Sequence, residues 1–269
     1  MKQARAYAKI NLALVVGPLR DDGKHELVTV LQRIDLADDI TLEPVDALIV
    51  EGFAADTLVR GALEALAEAA RVYPGWRARI EKRIPVAAGL GGGSTDAATA
   101  LTLANSTLPR PLAPDALHAI AAGIGADVPF FLHEGTQLAR GDGTELERVD
   151  LPLDYIAVVV LPDGVSKEST GTMYRAFDDR DGPAGFEQRR SALLDALASV
   201  EHARDLACLP KNDLGSSSLA EELEAVGTFH ADLAGAGPSV YGLFERLDDA
   251  ECAAETLAKK GKTWIVRPL

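Results

Sequence analysis

Four glycines in five positions, Gly89, Gly91, Gly92 and Gly93, run directly into Ser94, Thr95 and Asp96 and then into the Ala-rich stretch 97–104. Glycine lets a chain turn through positive φ and approach a ligand closely, and a helix N-terminus just behind it presents unpaired N–H groups to an anion. The run reads as a phosphate-binding loop between a strand and a helix. It is no Walker A sequence, because no lysine follows the glycines, and no dinucleotide fingerprint, because Gly89-x-Gly91-x-x-Ser94 lacks the third glycine. Cationic help must then come from elsewhere. Lys9 and Lys82 each interrupt an apolar strand pattern, where an unpaired ammonium would be costly.

Asp127 stands in Gly125-Ala126-Asp127-Val128-Pro129-Phe130-Phe131, an acid inside an apolar segment just past a helix end. That setting suits a general base, and equally an Asp held by the backbone N–H groups of a turn. A Lys9–Asp127 ion pair would spare both residues desolvation, a meeting that cannot be read from their spacing. The stretch Gly235-Ala236-Gly237-Pro238 either closes over a site or makes a tight turn. His25 follows a turn and opens a strand, as a packing or surface residue on its own. The remaining histidines show no metal-ligand spacing, and Cys208 and Cys252 form no C-x-x-C.

The elements that must position these residues follow from period and punctuation. Ala6 to Val16 reads as a strand, with further strands at 27–34 and 40–43. After Asp56 as N-cap, Val59, Leu63, Leu66, Ala70 and Tyr73 share one helical face, and Pro74-Gly75 stops it. The alternation over 77–84 predicts a strand, 97–104 a helix by alanine content, and 115–124 an amphipathic helix. Beyond residue 150 come a strand at 155–161, helices near 188–200, 219–226 and 250–259, and strands at 240–244 and 263–266. Ser218 and Glu221 offer a capping box, and 178–186 reads as an exposed loop. The expected division is residues 1–150 and 151–269.

The whole-chain numbers bound the class. With 269 residues, 47% hydrophobic and 25% charged, the chain has the mix of a globular protein with a real core. A net charge of −14 argues against nucleic acid as a partner. No apolar run approaches the ~20 residues of a membrane span, and the cysteine usage with no signal-like segment points to the cytoplasm.

Three segments in order resemble the motifs of the GHMP kinases, the galactokinase, homoserine, mevalonate and phosphomevalonate kinase superfamily. They are Ala8-Lys9-Ile10-Asn11-Leu12, Pro85-Val86-Ala87-Ala88-Gly89-Leu90-Gly91-Gly92-Gly93-Ser94-Thr95-Asp96, and Gly235-Ala236-Gly237-Pro238-Ser239-Val240. Further segments, Asp22 to Leu27, Gly125 to Phe131, Ser169-Thr170 with Tyr174-Arg175-Ala176, and Asn212-Asp213-Leu214, are similar to its branch acting on a cytidine-linked sugar alcohol in the non-mevalonate isoprenoid route. The resemblance implies an α+β, two-domain fold: an N-terminal part like domain 2 of ribosomal protein S5, a ferredoxin-like C-terminal part, and a cleft between them. It implies ATP with Mg²⁺, a small-molecule substrate, and a monomer or homodimer with no nucleic-acid or membrane partner. It also implies Asp127 as base with Lys9 beside it, and ATP phosphates on Pro85, Val86, Ala87, Ala88, Gly89, Leu90, Gly91, Gly92, Gly93, Ser94 and Thr95. Asn11, His25, Thr170 and Tyr174 would line the substrate pocket, and Ser94 would touch the magnesium. Lys24, Gly171 and Thr57 depart from the branch, which usually has tyrosine, proline and asparagine there. A GHMP-type kinase for another polyol or nucleotide-linked alcohol, or a non-catalytic ATP-binding regulator, stays open.

Overall fold

Two long strands begin the chain: β1 (Lys2–Leu19) and β2 (His25–Pro44). Gly23 at φ +80° turns one into the other, closed by Arg20 N–H to Lys24 O at 2.7 Å. The two strands expected at 27–34 and 40–43 are one. The acids at its middle do not break it, because each finds a partner: Asp35 Oδ1 accepts from Arg267 N at 2.8 Å, and Asp38 Oδ1 accepts from Ile84 N at 2.8 Å. The structure is a computed structural model and describes residues 1–53, 56–165 and 170–269.

The chain partitions into two compact units, neither continuous in sequence. The first comprises residues 1–8, 36–86 and 91–134, the second 9–35, 87–90 and 135–269. Strands β1 and β2 contribute to both. Residue 150, the expected point of division, falls inside the second unit. The reason is strand pairing: β5 (Thr136–Gly141) runs antiparallel to β2 from Leu27↔Gly141 to Leu31↔Gln137, and β6 (Glu145–Val149) pairs with β5.

In the first unit the later part of β2 pairs antiparallel with β4 (Trp76–Glu81), and the short β3 (Ile49–Glu51) lies parallel to β4. Helices α1 (Leu58–Ala70), α2 (Gly92–Asn105) and α3 (Pro114–Ile124) complete a core with Ile40, Leu42, Leu63, Leu66, Leu101 and Val128. The expected stripe of α1 is buried from Val59 to Leu66. The helix stops before Tyr73 because Arg71 adopts φ +54°, and Tyr73 is left 76% exposed. Thr57 is the N-cap rather than Asp56, yet the Asp56 carboxylate still accepts from Val59 N at 3.1 Å. Helix α2 starts at Gly92, ahead of the predicted alanines, so Gly92, Gly93 and Ser94 form its first turn.

In the second unit β10 (Gly261–Val266), β7 (Ile156–Pro162), β9 (Val240–Phe244) and β8 (His230–Leu233) form an antiparallel sheet in that order. Helices α6 (Ser218–Ala225) and α7 (Leu247–Leu257) pack on it through Leu219, Leu223, Ala250, Ala253 and Leu257. Ser217 caps α6, accepting from Leu219 N at 3.2 Å, in place of the predicted Ser218 box. Helices α4 (Thr170–Asp179) and α5 (Phe186–Ala198) flank the segment read as an exposed loop. Arg189 ties that loop down by donating to Gly182 O at 2.8 Å. Among the described residues no helix is long and apolar enough to cross a membrane.

Candidate active site

The second unit brings parts of all three glycine- and lysine-bearing segments together. Lys9, 3% exposed on β1, donates through Nζ to Asn11 Oδ1 at 2.7 Å, and its backbone N–H bonds Leu90 O at 3.0 Å. Ala87–Leu90 lies against the turn after β8 backbone to backbone: a Cβ on Gly89 would sit 2.1 Å from Ala234 O, and one on Gly237 would sit 2.2 Å from Gly89 Cα. Only glycine allows that approach. A Cβ on Gly235 would meet Asn11 Oδ1 at 3.0 Å and Lys9 Nζ at 3.1 Å. Of the two readings of Gly235–Pro238, the turn is real and also abuts the buried ammonium.

Around the loop, Ala87, Gly89 and Gly91 take φ of +60°, +87° and +72°. Left-handed residues of this kind are a component of the backbone nests that hold anions. Pro85 and Val86 belong to the first unit, as does everything from Gly91 to Thr95, where α2 begins. Ser94 is half-buried and Thr95 buried there.

Asp127 also lies in the first unit, half-buried in the turn between α3 and the 3₁₀ turn Pro129–Leu132. Lys82, the second off-pattern lysine, has left the strand, which ends at Glu81. Its Nζ bridges two buried carboxylates, Asp38 Oδ2 at 2.5 Å and Asp96 Oδ2 at 2.8 Å. Burial and the Asp38 charge outweigh Lys82 and push the Asp96 carboxyl up to about 8. Burial pulls the Lys82 ammonium down, but the two acids overcome it and leave it raised. Lys82 Nζ is also 3.2 Å from where a Gly92 Cβ would be, so the cluster supports the first turn of α2.

Asn11, His25, Thr170 and Tyr174 all belong to the second unit. His25, buried at the start of β2, packs its ring on Tyr174 with centroids 4.8 Å apart and edge-on to Phe177 at 6.1 Å. Its Nε2 lies 2.9 Å from Asp178 Oδ1. Thr170 is exposed at the start of α4, one turn before Tyr174, while Ser169 lies outside the described residues. Lys24 ion-pairs with Asp142.

The sequence points to Asn212 only within a motif and not at all to Tyr241 or Thr29. Asn212, buried, donates to Gly235 O at 2.8 Å, and its backbone N–H bonds Asp232 Oδ2 at 2.7 Å. Tyr241 donates to Asn11 O at 2.8 Å, and Thr29 sits beside the Asn11 amide. An off-pattern lysine or a polar residue in an apolar strand signals a partner, but names none.

Residues 57–135 match the family described as "GHMP kinases N terminal domain", and residues 186–263 match "GHMP kinases C terminal". A protein of Chlorobium phaeobacteroides named 4-diphosphocytidyl-2-C-methyl-D-erythritol kinase is 37% identical over 93% of this chain and 91% of its own. One of the same name from Gloeobacter violaceus is 39% identical over 94% and 89%. The crystal structure of a 4-(cytidine 5'-diphospho)-2C-methyl-D-erythritol kinase aligns over 99% of both chains at TM-score 0.80 and 35% identity. A mevalonate kinase shares the fold at TM-score 0.78 and 14% identity, covering 100% of this chain and 99% of its own. On the two matched halves and the full-length relatives, this chain belongs to the GHMP kinases and, within them, to the 4-diphosphocytidyl-2-C-methyl-D-erythritol kinase family.

Proposed function

We propose that the protein phosphorylates the 2-hydroxyl of 4-diphosphocytidyl-2-C-methyl-D-erythritol with ATP, in the non-mevalonate isoprenoid route. The carrying observation is the meeting of Lys9, the Ala87–Leu90 backbone and Gly235–Gly237 in one place. Family membership supplies the chemistry for which such a place is built.

In this reading the N–H groups from Pro85 to Thr95 hold the phosphates of ATP. Asp127 takes the proton of the acceptor hydroxyl. The freed oxygen forms a bond to the γ-phosphorus as its bond to the bridging oxygen breaks and ADP leaves. Lys9 offsets the charge on the group in flight. The half-buried Ser94 hydroxyl, in the first turn of α2, is a hard oxygen donor. It would serve as a protein ligand to Mg²⁺ brought in on the triphosphate. When bound, Mg²⁺ would neutralise charge on the β- and γ-phosphates. His25 and Tyr174 offer the cytosine a ring edge and face, and Asn11 and Thr170 line the remainder of the pocket. The protein acts in the cytoplasm as a monomer or homodimer, without nucleic-acid or membrane partners.

A second acceptor is favoured by one observation: Lys24 replaces the usual tyrosine and is drawn to Asp142. An assay with ATP and the cytidine substrate tests both readings. Turnover is expected, with Asp127→Asn and Lys9→Met each lowering kcat by about 10²–10⁴-fold. Turnover only with another polyol transfers the assignment to the second reading, and near-native rates in Asp127→Asn remove that residue as the base.

A further inference from the structure

Below the Lys9 ammonium lies a short chain of buried hydrogen bonds whose polarity is fixed at its far end. The Thr29 hydroxyl has one proton, and it goes to Ala13 O at 2.6 Å. Its oxygen can therefore only accept from Asn11, and it does so from Nδ2 at 2.8 Å. The amide is thereby oriented with Oδ1 toward Lys9 Nζ at 2.7 Å. Were the amide reversed, an NH₂ group would face an ammonium and a hydroxyl oxygen would lose its donor, both inside a buried site. Asn11 is 5% exposed and Thr29 4%, so water cannot compensate cheaply. The Tyr241 hydroxyl, donating to Asn11 O at 2.8 Å, fixes the backbone from which the amide projects.

We infer that Thr29 is a positioning residue for phosphoryl transfer: its hydroxyl sets the orientation of the Asn11 amide, and through it the place of the Lys9 ammonium. The inference rests on the role given to Lys9 above. It also alters the reading of Asn11, whose side-chain oxygen and nitrogen are both engaged within the protein. Asn11 serves the lysine as well as any acceptor beside it.

Thr29→Val keeps the shape and removes the hydroxyl, while Thr29→Ser keeps the hydroxyl and removes a methyl. In steady-state assays of the full chain, Thr29→Val is expected to lower kcat about tenfold or more, the equivalent of one buried hydrogen bond. The KM for ATP should stay within about twofold, since the phosphate-facing amides are untouched. Thr29→Ser should recover kcat to within about threefold of the parent. A purely structural role would lower the melting temperature without this split between kcat and KM. If Thr29→Val does not fold, Thr29→Cys takes its place, because a thiol is a poor donor and acceptor of similar size. Lys9→Met separates the two levels. If it leaves kcat intact, the role of Lys9 itself is wrong. If it abolishes turnover while folded Thr29→Val or Thr29→Cys retains the parental kcat, the positioning inference is overturned.

Discussion

At His230 the ring nitrogen Nε2 lies 3.3 Å from the Tyr241 hydroxyl, and Nδ1 is buried with no hydrogen-bond partner among the described residues. A charged ring there would lose its hydration, and burial, with a smaller contribution from the Lys211 charge, holds the imidazole down at about 3. The unfolded chain takes up a proton near pH 6.5 that the folded chain refuses. Stability from this group is therefore complete above pH 6.5 and is lost as pH falls toward 3. Between pH 7 and pH 5 the loss should be about 2 kcal/mol. Urea unfolding of the parent and of His230→Gln at the two pH values should show the parent losing that much relative to the variant. Parallel pH dependence of the two proteins would show that His230 does not titrate in this way. The nearby Asp232, raised to about 6 mainly by burial, has the opposite slope between about pH 4 and 6. The variant comparison is needed to separate the two.

Among the elements, the turn from β8 to β9 depends on one side chain outside it. Asn212 donates to Gly235 O at 2.8 Å and Leu233 O at 3.4 Å, and accepts from Leu214 N at 2.9 Å. Asn212→Ala leaves these buried backbone groups without partners and should cost about 2–3 kcal/mol. Faster amide exchange at residues 235–239, with α1 and α2 unaffected, would locate the effect; unchanged exchange there would refute the clamp. The elements legible from sequence were those with a strong period, such as the buried stripe of α1 and the apolar run of β7. Strand β8 was missed because two of its four residues, His230 and Asp232, are polar yet buried, and their burial depends on partners elsewhere. The motif order indicated which segments matter to the site. It did not indicate what holds them, since Thr29, Asn212 and Tyr241 reach their partners across 18, 23 and 230 residues. Lys82 was readable as anomalous, while its carboxylates Asp38 and Asp96 were not readable as its partners.

For the molecule as a whole, the interleaving of the two units means that a cut near residue 150 divides the second unit and splits the buried cluster of Leu14, Val16, Phe177 and Leu214. The second unit needs residues 9–35, which supply Leu14 O to Asp213 N at 2.9 Å and Val16 O to Arg189 at 2.9 Å. Residues 151–269 expressed alone should show collapsed amide shifts and no cooperative melting. A dispersed spectrum from that fragment would mean that the sheet of β7 to β10 is self-sufficient. The same interleaving has a consequence during synthesis. Tyr241 follows Asn11 by 230 residues, so at roughly 5–20 residues per second the nascent chain waits about 10–50 s for that bond to become available. Throughout the wait, the oily Ile10–Val16 stretch has left the ribosome without its final covering. It is a segment that a holdase would serve before translation ends.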